Sequence, residues 1–171
     1  MHFTAPWEKA LRCMTTALVI FFIVEVVVLL ILFHFTVPDK IAATGISLLL
    51  VAINGGIVLF SYLLAPKGFW LDDERVTVER PLFPIKIEFK KITGVRAIPK
   101  EALTRAARVM GNGGLFGFYG VFRNKELGSF RLYATDRSKG ILIEADKKYI
   151  LTPDRPEDFL ALLEARLKSS W

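Results

Sequence analysis

The sequence predicts an α+β protein, in which a transmembrane hairpin of two helices precedes an antiparallel β-barrel capped by a C-terminal helix. Residues 14–35 and 44–65 are uninterrupted apolar runs. Each run would form a helix of roughly 33 Å, enough to cross a bilayer core of about 30 Å. Beyond Pro66, short segments alternate polar and apolar residues, as half-buried strands do. We therefore expect a membrane segment in residues 1–66 and a water-facing domain in residues 67–171.

The charges that flank the two spans predict their orientation. Two spans place both ends of the chain on the same side of the membrane. Lys9 and Arg12 precede the first span and Lys67 and Arg75 follow the second, whereas the turn of about eight residues between the spans contains Lys40 alone. Because cytoplasmic flanks carry the excess of Lys and Arg, we expect both termini in the cytoplasm.

The net charge lies entirely in the second segment. From residue 67 onward there are 20 Lys and Arg against 14 Asp and Glu, a difference of +6 that equals the net charge of the whole chain. Anionic lipids of the cytoplasmic leaflet attract such basic segments. The charges are spread out, however, with short clusters only at Lys90–Lys91 and Lys147–Lys148. We therefore favour a solvated surface over a dedicated lipid site, and we expect no nucleic acid among the partners.

Strand signals follow one another closely after the second span. Residues 75–80 and 85–90 alternate polar and apolar side chains on either side of the breaker-rich residues 81–84, which predicts a β-hairpin. A third strand, a short helix and three further strands are predicted at 95–98, 101–108, 129–133, 140–144 and 148–151. Because short turns join them, we expect a meandering antiparallel sheet without the long crossovers of parallel strands.

A C-terminal helix is predicted to close this sheet. Asp154 and Glu157 have the spacing of a capping box, and Pro156 suits the first turn of a helix. An apolar stripe at helical spacing follows, formed by Phe159, Leu160, Leu163 and Leu167. About seven strands closed at one end by an amphipathic helix is the plan of a pleckstrin-homology (PH) barrel.

Four segments carry a family resemblance. Residues 92–95 (ITGV) precede the glycine and aromatic run at 113–120, and residues 127–135 (LGSFRLYAT) and 150–159 (ILTPDRPEDF) follow it. Together they resemble the bacterial PH-domain family found in small membrane proteins, over roughly residues 68–168. The resemblance implies a PH-like fold and usually no catalytic activity, and it implies no particular ligand. Family members often carry membrane helices beside the domain. The hairpin of this chain lies outside the resemblance and rests on hydropathy alone, from which we expect a multi-pass protein of the inner (cytoplasmic) membrane.

The glycine run beginning at Gly111 does not match a phosphate-binding motif. It lacks the Gly-Lys-Ser/Thr of a P-loop, and Phe116 occupies the place of the third glycine in the dinucleotide fingerprint. We favour a loop and strand entry whose large side chains make hydrophobic contacts. If some of them are exposed near the bilayer, insertion into the interface and a subunit contact are open alternatives. The side chains concerned are Leu115, Phe116, Phe118, Tyr119 and Phe122.

The sequence contains no catalytic constellation. Its histidines are His2, at a terminus that we expect to be mobile, and His34, inside the first span. Residues 67–171 therefore lack the histidine that Ser-His, Cys-His and the usual zinc sites require. The lone Cys13 excludes an intrachain disulfide and a multi-cysteine metal site. We expect no catalytic residue, no metal site and no cofactor, and hence no enzyme.

Polar and small residues lie near the middle of the predicted spans. Glu25 and Asn54 would lie at similar depth in an antiparallel hairpin. A charge at the bilayer centre costs about 2.5 to 3.5 kcal/mol, so we expect Glu25 to be neutral, hydrogen-bonded or turned towards a polar partner. We favour a hydrogen bond to Asn54 over a contact with another membrane subunit or a place on a proton path. Ala52, Gly55 and Gly56 form a small-residue face for helix packing, against the first span or a foreign helix.

These observations favour a non-enzymatic accessory, assembly or scaffold subunit of a larger membrane protein complex. Its hairpin would bind other integral membrane subunits, and its PH-like domain would cover their cytoplasmic face. One alternative is a membrane-anchored module that senses anionic lipid headgroups through Lys86, Lys90 and Lys91. A second is a subunit that contacts a haem or pigment through His34, for which we favour an interfacial hydrogen bond. Two spans without a reactive cluster argue against a membrane enzyme or transporter.

Overall fold

A computed structural model describes residues 1–169 of the chain. Two long helices, α1 (Lys9–Thr36) and α2 (Lys40–Leu64), form a hairpin. The other elements, in chain order, are β1 (His2–Thr4), β2 (Gly68–Leu71), β3 (Arg75–Glu79), β4 (Ile85–Glu88), a 3₁₀ turn (Phe89–Lys91), β5 (Gly94–Ile98), α3 (Lys100–Thr104), β6 (Ala107–Gly113), β7 (Phe118–Asn124), β8 (Gly128–Ala134), β9 (Gly140–Glu144), β10 (Lys148–Leu151) and α4 (Pro156–Ser169).

Both hairpin helices are long and apolar enough to cross a membrane, and their most apolar stretches are not buried within the protein. The predicted pair of long apolar helices is confirmed, but their ends differ. α1 begins at Lys9, five residues earlier than predicted, and its first turns pack on the domain. α2 begins at Lys40 because the Asp39 carboxylate accepts hydrogen bonds from the backbone N–H groups of Ile41 and Ala42, at 2.9 and 3.2 Å. The turn between the helices is therefore shorter than the eight residues predicted.

The domain consists of two sheets that do not close into a barrel. The first has the order β1-β2-β3-β4, with antiparallel pairing throughout, and the second has the order β5-β9-β10-β8-β7-β6. In the second sheet β10 lies parallel to β8, with Tyr149 opposite Arg131, so the prediction of a purely antiparallel meander is wrong. No long crossover is needed. β9 leaves room for one strand between itself and β8, and β10 fills that place as the antiparallel hairpin partner of β9.

The main core lies between the sheets and α4. Phe159 and Leu163 on α4 are fully buried. The Phe159 ring meets Phe3 and Phe69 edge-on, with ring centroids 5.1 and 6.4 Å apart. Aromatic pairs prefer such geometry and stabilise beyond their buried area. The helix stripe predicted from the sequence therefore faces the core, and the α+β architecture of hairpin, β domain and C-terminal helix is confirmed.

The N-terminal residues belong to the first sheet. β1 pairs antiparallel with β2, and Phe3 is 1% exposed. The terminal ammonium of Met1 donates to the Leu71 carbonyl oxygen at 2.7 Å. The expectation of a mobile terminus around His2 is therefore wrong, because the strand before α1 completes the sheet that follows α2.

The region between α3 and β7 also differs from its prediction. The predicted helix over 101–108 is the shorter α3, and β6 already begins at Ala107. The predicted glycine loop shrinks to residues 114–117 because β6 and β7 extend into it. Gly111 and Gly120 face each other across these strands with φ of 119° and 122°. A Cβ on either residue would strike the backbone of the opposite strand, so this pairing requires glycine.

Candidate functional site

The helical hairpin is docked onto the domain at its open end. We call this region the hairpin base. It comprises the N-cap residue Glu8 and the first turns of α1 to residue 15, the end of α2 from residue 61 with its C-cap Ala65, and the loop 114–117. The loop lies against both helices. Its contacts decide how the hairpin and the domain are held relative to each other.

The first turns of α1 are part of the domain core. Leu11 is fully buried and belongs to a second core cluster with Phe118 and Leu132 of the larger sheet. Thr15, one turn later, is 6% exposed. Its hydroxyl donates to the Gly114 carbonyl oxygen and accepts a hydrogen bond from the Phe116 backbone N–H, both at 3.1 Å. A single threonine therefore joins the helix to both ends of the loop.

Asn112 and Gly114 shape the loop for this contact. The Asn112 side-chain oxygen accepts hydrogen bonds from the backbone N–H groups of Gly114 and Leu115, at 3.0 and 2.8 Å. Asparagine often bonds the backbone two residues ahead in this way, which stabilises a turn. Gly114 has a φ of 136°, and a Cβ there would overlap the end of the Met14 side chain. The glycine therefore allows the loop to approach α1 closely.

Phe116 lies between the two helices of the hairpin. Its ring meets Tyr62 of α2 edge-on at a centroid distance of 5.5 Å, and Trp7, ahead of α1, lies at 6.2 Å. The other large side chains of the predicted glycine and aromatic run are buried within the domain, namely Leu115, Phe118, Tyr119 and Phe122. The structural interpretation of the run is thus supported by burial, with Phe116 as its half-buried member.

The end of α2 is tied to the domain through a tyrosine. The Tyr119 hydroxyl donates to the Ser61 carbonyl oxygen at 2.7 Å and accepts from the Asn112 side-chain amide at 3.1 Å. Burial raises the pKa of Tyr119 above its ordinary value, which keeps the hydroxyl protonated and able to donate. Ala65, just after the helix, is fully buried.

An ion pair completes the N-terminal side of the base. Glu8, the N-cap of α1, accepts hydrogen bonds from the backbone N–H and the guanidinium Nε of Arg137, both at 3.4 Å. The same guanidinium lies 3.9 Å from the ring centroid of Phe118. In addition, the Glu8 backbone N–H donates to the Thr135 carbonyl oxygen at 3.1 Å. The base is therefore held by several independent contacts from both helices.

The polar residues in the middle of the hairpin are not joined to each other. Asn54 is half-buried and donates through its side-chain amide to the Leu50 carbonyl oxygen of its own helix, at 3.1 Å. Glu25 is also half-buried, and within residues 1–169 it has no hydrogen-bond or ion-pair partner. The structure therefore does not form the bond considered between Glu25 and Asn54.

The small-residue face is open. A Cβ placed on Gly55 or Gly56 would meet no atom within 4 Å, and Ala52 is exposed. A groove of about 570 Å³ runs between α1 and α2, with apolar side chains on both walls and Asn54 and Gly55 on its α2 side. The structure therefore brings together two of the predicted contact residues in one groove, and α1 leaves that groove unfilled.

His34 lies at the other end of the hairpin, near the turn. Its side chain is exposed, and its carbonyl oxygen accepts a hydrogen bond from the Lys40 ammonium group at 2.7 Å. Residues 1–169 contain no group of three or more His, Cys, Asp or Glu side chains that could hold a metal ion. A contact between His34 and a pigment or haem stays a prediction of the sequence.

The predicted lipid-contacting lysines are divided along β4. Lys86 is exposed within the strand, whereas Lys90 and Lys91 follow its far end and lie 3.0 and 3.4 Å from the Glu88 carboxylate. The neighbouring Lys90 ammonium group lowers the pKa of Glu88, so this carboxylate stays ionised. The register pairs Arg75 with Glu88, which places Lys90 and Lys91 at the end of the β3–β4 hairpin opposite to its connecting loop.

The sequence signature of the bacterial PH domain matches residues 67–167. The chain belongs to the bacterial PH domain family. Neither the curated proteins nor the solved structures compared with the chain give a match. The match covers the sheets from β2 onward and most of α4. It leaves β1 and both hairpin helices outside, although β1 completes the first sheet of this PH domain. PH domains are typically non-catalytic binding modules.

Sequence reasoning missed the residues that fasten the PH domain to the hairpin. Asn112 carried a usable signal, because an asparagine before consecutive glycines is a turn signature. Trp7 and Tyr62 carried another, since aromatic residues are enriched at the ends of membrane spans. Thr15 carried none, because its partners Gly114 and Phe116 are about a hundred residues away in the sequence.

Proposed function

We propose that this protein is a non-enzymatic accessory subunit of a larger membrane protein complex, serving its assembly or acting as a scaffold. The hairpin spans the inner membrane and binds other integral membrane subunits in the middle of the bilayer. The PH domain lies on the cytoplasmic face, held to the hairpin through the hairpin base. The proposal combines a typically non-catalytic domain family with two helices able to cross a membrane.

The observation that carries the proposal is the Glu25 side chain, which has no polar partner within residues 1–169. In a hydrocarbon core no water is present to bond such a group. A charged group there costs about 2.5 to 3.5 kcal/mol on insertion scales, so an acidic residue in this position indicates a functional contact. A polar group on a neighbouring subunit would satisfy it.

The groove between the helices supplies a second surface for a partner helix, beside the position of Glu25, which does not line it. Gly55 lies on its α2 wall, and a Cβ there would have open space. Small residues let the backbones of two membrane helices approach closely, so that packing and Cα–H contacts replace the missing hydrophobic driving force. Asn54 adds a side-chain carbonyl oxygen that accepts no hydrogen bond within the described residues. A helix of a partner subunit in this groove would meet both features.

The strand pairing supports the orientation of the hairpin. β1 precedes α1 and β2 follows α2, yet the two strands pair directly, with Phe3 opposite Phe69. Two spans that return to the same side of the membrane satisfy this pairing. The basic flanks place that side in the cytoplasm. A reporter that is active only in the cytoplasm should therefore be active when it is fused to either end of the chain. Activity at one end and none at the other would contradict the hairpin.

Co-purification tests the role of Glu25. Glu25→Leu should leave membrane insertion intact but strip the protein from its native complex, because the partner group loses its hydrogen bond in a medium without water. Glu25→Gln keeps a hydrogen-bonding side chain and should retain most of the complex. Val24→Leu changes a neighbouring side chain that is 54% exposed, and it serves as the matched control. The measurement is mass spectrometry of subunits that co-elute in a gentle detergent at equal membrane expression.

Undiminished recovery of the complex with Glu25→Leu would contradict recognition through the middle of the hairpin. The same result for Asn54→Leu would exclude the groove as the contact surface. In that case weight would shift to the cytoplasmic PH domain as the binding surface for a partner subunit, and exposed residues of its sheets would be tested next.

A further inference from the structure

The loop between β3 and β4 exposes an apolar tip. Pro81, Phe83 and Pro84 are exposed, and the Phe83 side chain is 67% exposed. We call residues 81–84 the Phe83 loop. Single exposed apolar side chains are common on protein surfaces, so the position of this loop relative to the hairpin decides what could cover it.

The loop conformation is braced from the protein side. Phe83 has a φ of 56°, in the left-handed region that a bulky residue rarely adopts. The Arg80 guanidinium donates to the Phe83 carbonyl oxygen through Nε at 2.9 Å and again through Nη2. The same guanidinium lies 5.6 Å from the ring centroid of Tyr133 in the other sheet. These contacts hold the Phe83 backbone in a conformation that leaves its ring turned outward.

The loop lies level with the end of α2. The Leu82 backbone N–H donates to the Leu63 carbonyl oxygen at 2.9 Å, one residue before the helix ends at Leu64. Tyr62, in the same helical turn, is 43% exposed, and the Lys67 ammonium group lies 3.9 Å from the centroid of its ring. An aromatic residue and a cation at the end of an apolar helix are typical of the membrane–water interface. The Phe83 loop therefore lies at interface depth if α2 crosses the membrane.

The two ends of the same strand pair differ in polarity. Asp72, Asp73 and Glu74 lie at the end of β3 opposite to the Phe83 loop, beside the 3₁₀ turn, and the Phe89 backbone N–H bonds the Glu74 carbonyl oxygen. Arg75, Lys90 and Lys91 lie at the same end and form ion pairs with Asp72 and Glu88. The β3–β4 hairpin therefore carries an exposed apolar tip at the end beside α2 and paired charges at the other. The membrane interface accepts aromatic side chains.

We propose that the Phe83 loop inserts into the headgroup–acyl boundary of the same bilayer that α1 and α2 cross. This inference rests on the proposed membrane-spanning hairpin. The PH domain would then contact the membrane at a third point beside its two helices, through an apolar side chain and without a specific headgroup site. Lipid is the occupant because the loop is hydrogen-bonded to the end of α2, which reaches the interface when the hairpin spans the membrane.

Fluorescence quenching tests the insertion. The full chain with Cys13→Ser carries a single cysteine labelled with an environment-sensitive dye, in vesicles of phosphatidylcholine and phosphatidylglycerol that contain a lipid with a quencher near the headgroup. Three positions are compared, Pro84→Cys in the loop, Lys90→Cys at the far end of the strand pair and Val27→Cys in the middle of α1. The dye at position 84 should be shifted to the blue and strongly quenched, and the dye at position 90 should have a water-like spectrum.

A second variant links the signal to the aromatic ring. Phe83→Asn keeps a residue that tolerates the left-handed conformation but removes the apolar side chain. In the Pro84→Cys protein it should abolish most of the blue shift and the quenching. Unchanged quenching with Phe83→Asn would overturn the assignment to this ring, because the label would then be shielded for another reason.

The remaining outcomes separate this inference from the proposed function. A water-like dye at position 84, with position 27 shielded and quenched by a deep lipid quencher, would overturn loop insertion and leave the membrane hairpin in place. An unquenched dye at position 27 would contradict the hairpin itself, and the loop proposal with it. A blue-shifted dye at position 84 would indicate a protein contact if the lipid quencher does not quench it and if the shift increases with the protein-to-lipid ratio. That result would overturn insertion into lipid.

Discussion

Thr15 and Glu25 lie on the same helix but have opposite surroundings. Thr15, in the hairpin base, is 6% exposed, and its hydroxyl both donates and accepts a hydrogen bond within the chain. Glu25, three turns later, is half-buried without a hydrogen-bond partner in residues 1–169. The base of the hairpin pairs Thr15 within the chain, whereas Glu25 in the middle has no such partner among the described residues.

This difference separates residues that attach the hairpin to the PH domain from residues that we propose contact a partner subunit. A buried polar group that lacks a partner costs about 1 to 3 kcal/mol, so the pairing of Thr15 stabilises one fixed placement of the hairpin on the domain. An unpaired polar group in the apolar middle of a span is costly, and the proposed partner subunit would offset that cost. Substitutions at the base should therefore change stability, and substitutions in the middle should change association.

The largest effect is expected for Leu11. Leu11→Ala should lower the free energy of unfolding by about 2 to 5 kcal/mol, because it leaves a cavity in a fully buried position. Leu32→Ala removes the same atoms from a side chain that is 51% exposed on the same helix, and should be close to neutral. Thermal unfolding of the purified chain in detergent, followed by near-UV circular dichroism, measures both. Equal losses would mean that the base is no better packed than the rest of α1.

A smaller loss is expected from Thr15→Val. The substitution keeps the shape of the side chain but leaves the Gly114 carbonyl oxygen and the Phe116 N–H without their partner, at a cost of about 2 to 3 kcal/mol. Thr36→Val is the matched control, since the Thr36 hydroxyl bonds the Leu32 carbonyl oxygen at an exposed position. Amide hydrogen exchange at Phe116 should accelerate in the first variant alone. Unchanged protection there would show that Thr15 does not hold the loop.

Gly114→Ala tests the close approach of the loop to α1. The φ of 136° is strained for alanine, and the new Cβ displaces the Met14 side chain, so we expect a loss of about 1 to 2 kcal/mol. Adding Met14→Ala should recover the part that comes from the overlap. Gly45→Ala, in α2 and with no atom within 4 Å of the new Cβ, should cause no loss. A loss at Gly45 as large as that at Gly114 would contradict the argument.

The smallest effect concerns pH and Tyr119. Burial raises its pKa above the ordinary value of about 10, so the folded state favours the protonated hydroxyl that donates to Ser61. The stabilisation is complete below the unfolded pKa and is lost as pH rises through the folded pKa. Tyr119→Phe should cost about 1 kcal/mol at neutral pH and should remove part of the decline in stability above pH 10.

Burial also raises the pKa of Tyr149 on β10, so both proteins lose some stability at high pH for that reason. The informative quantity is therefore the difference in the free energy of unfolding between Tyr119→Phe and the unmodified chain at each pH. Parallel stability curves for Tyr119→Phe and the unmodified chain from neutral pH to above pH 10 would contradict a buried donor at the base. Thermal unfolding at a series of pH values measures the two curves.

The local pattern predicted much of the architecture. The long apolar runs became α1 and α2, and the alternating segments became β3, β4, β5, β8, β9 and β10. The stripe through Phe159 and Leu163 became the buried face of α4. These predictions succeeded because hydrophobic periodicity is a property of neighbouring residues, which the sequence displays directly.

The sequence by itself determined the membrane-compatible hairpin, the β domain with its closing helix and the presence of an acidic side chain among apolar ones. Only the tertiary structure decided that β1 completes the sheet beyond α2, that β10 lies parallel to β8, and that Thr15 joins α1 to the loop at Gly114. It also decided that Glu25 and Asn54 remain apart. Such contacts join positions up to about a hundred residues apart, and they depend on which surfaces pack together. Local periodicity carries no information about that choice, because many pairings bury the same apolar area.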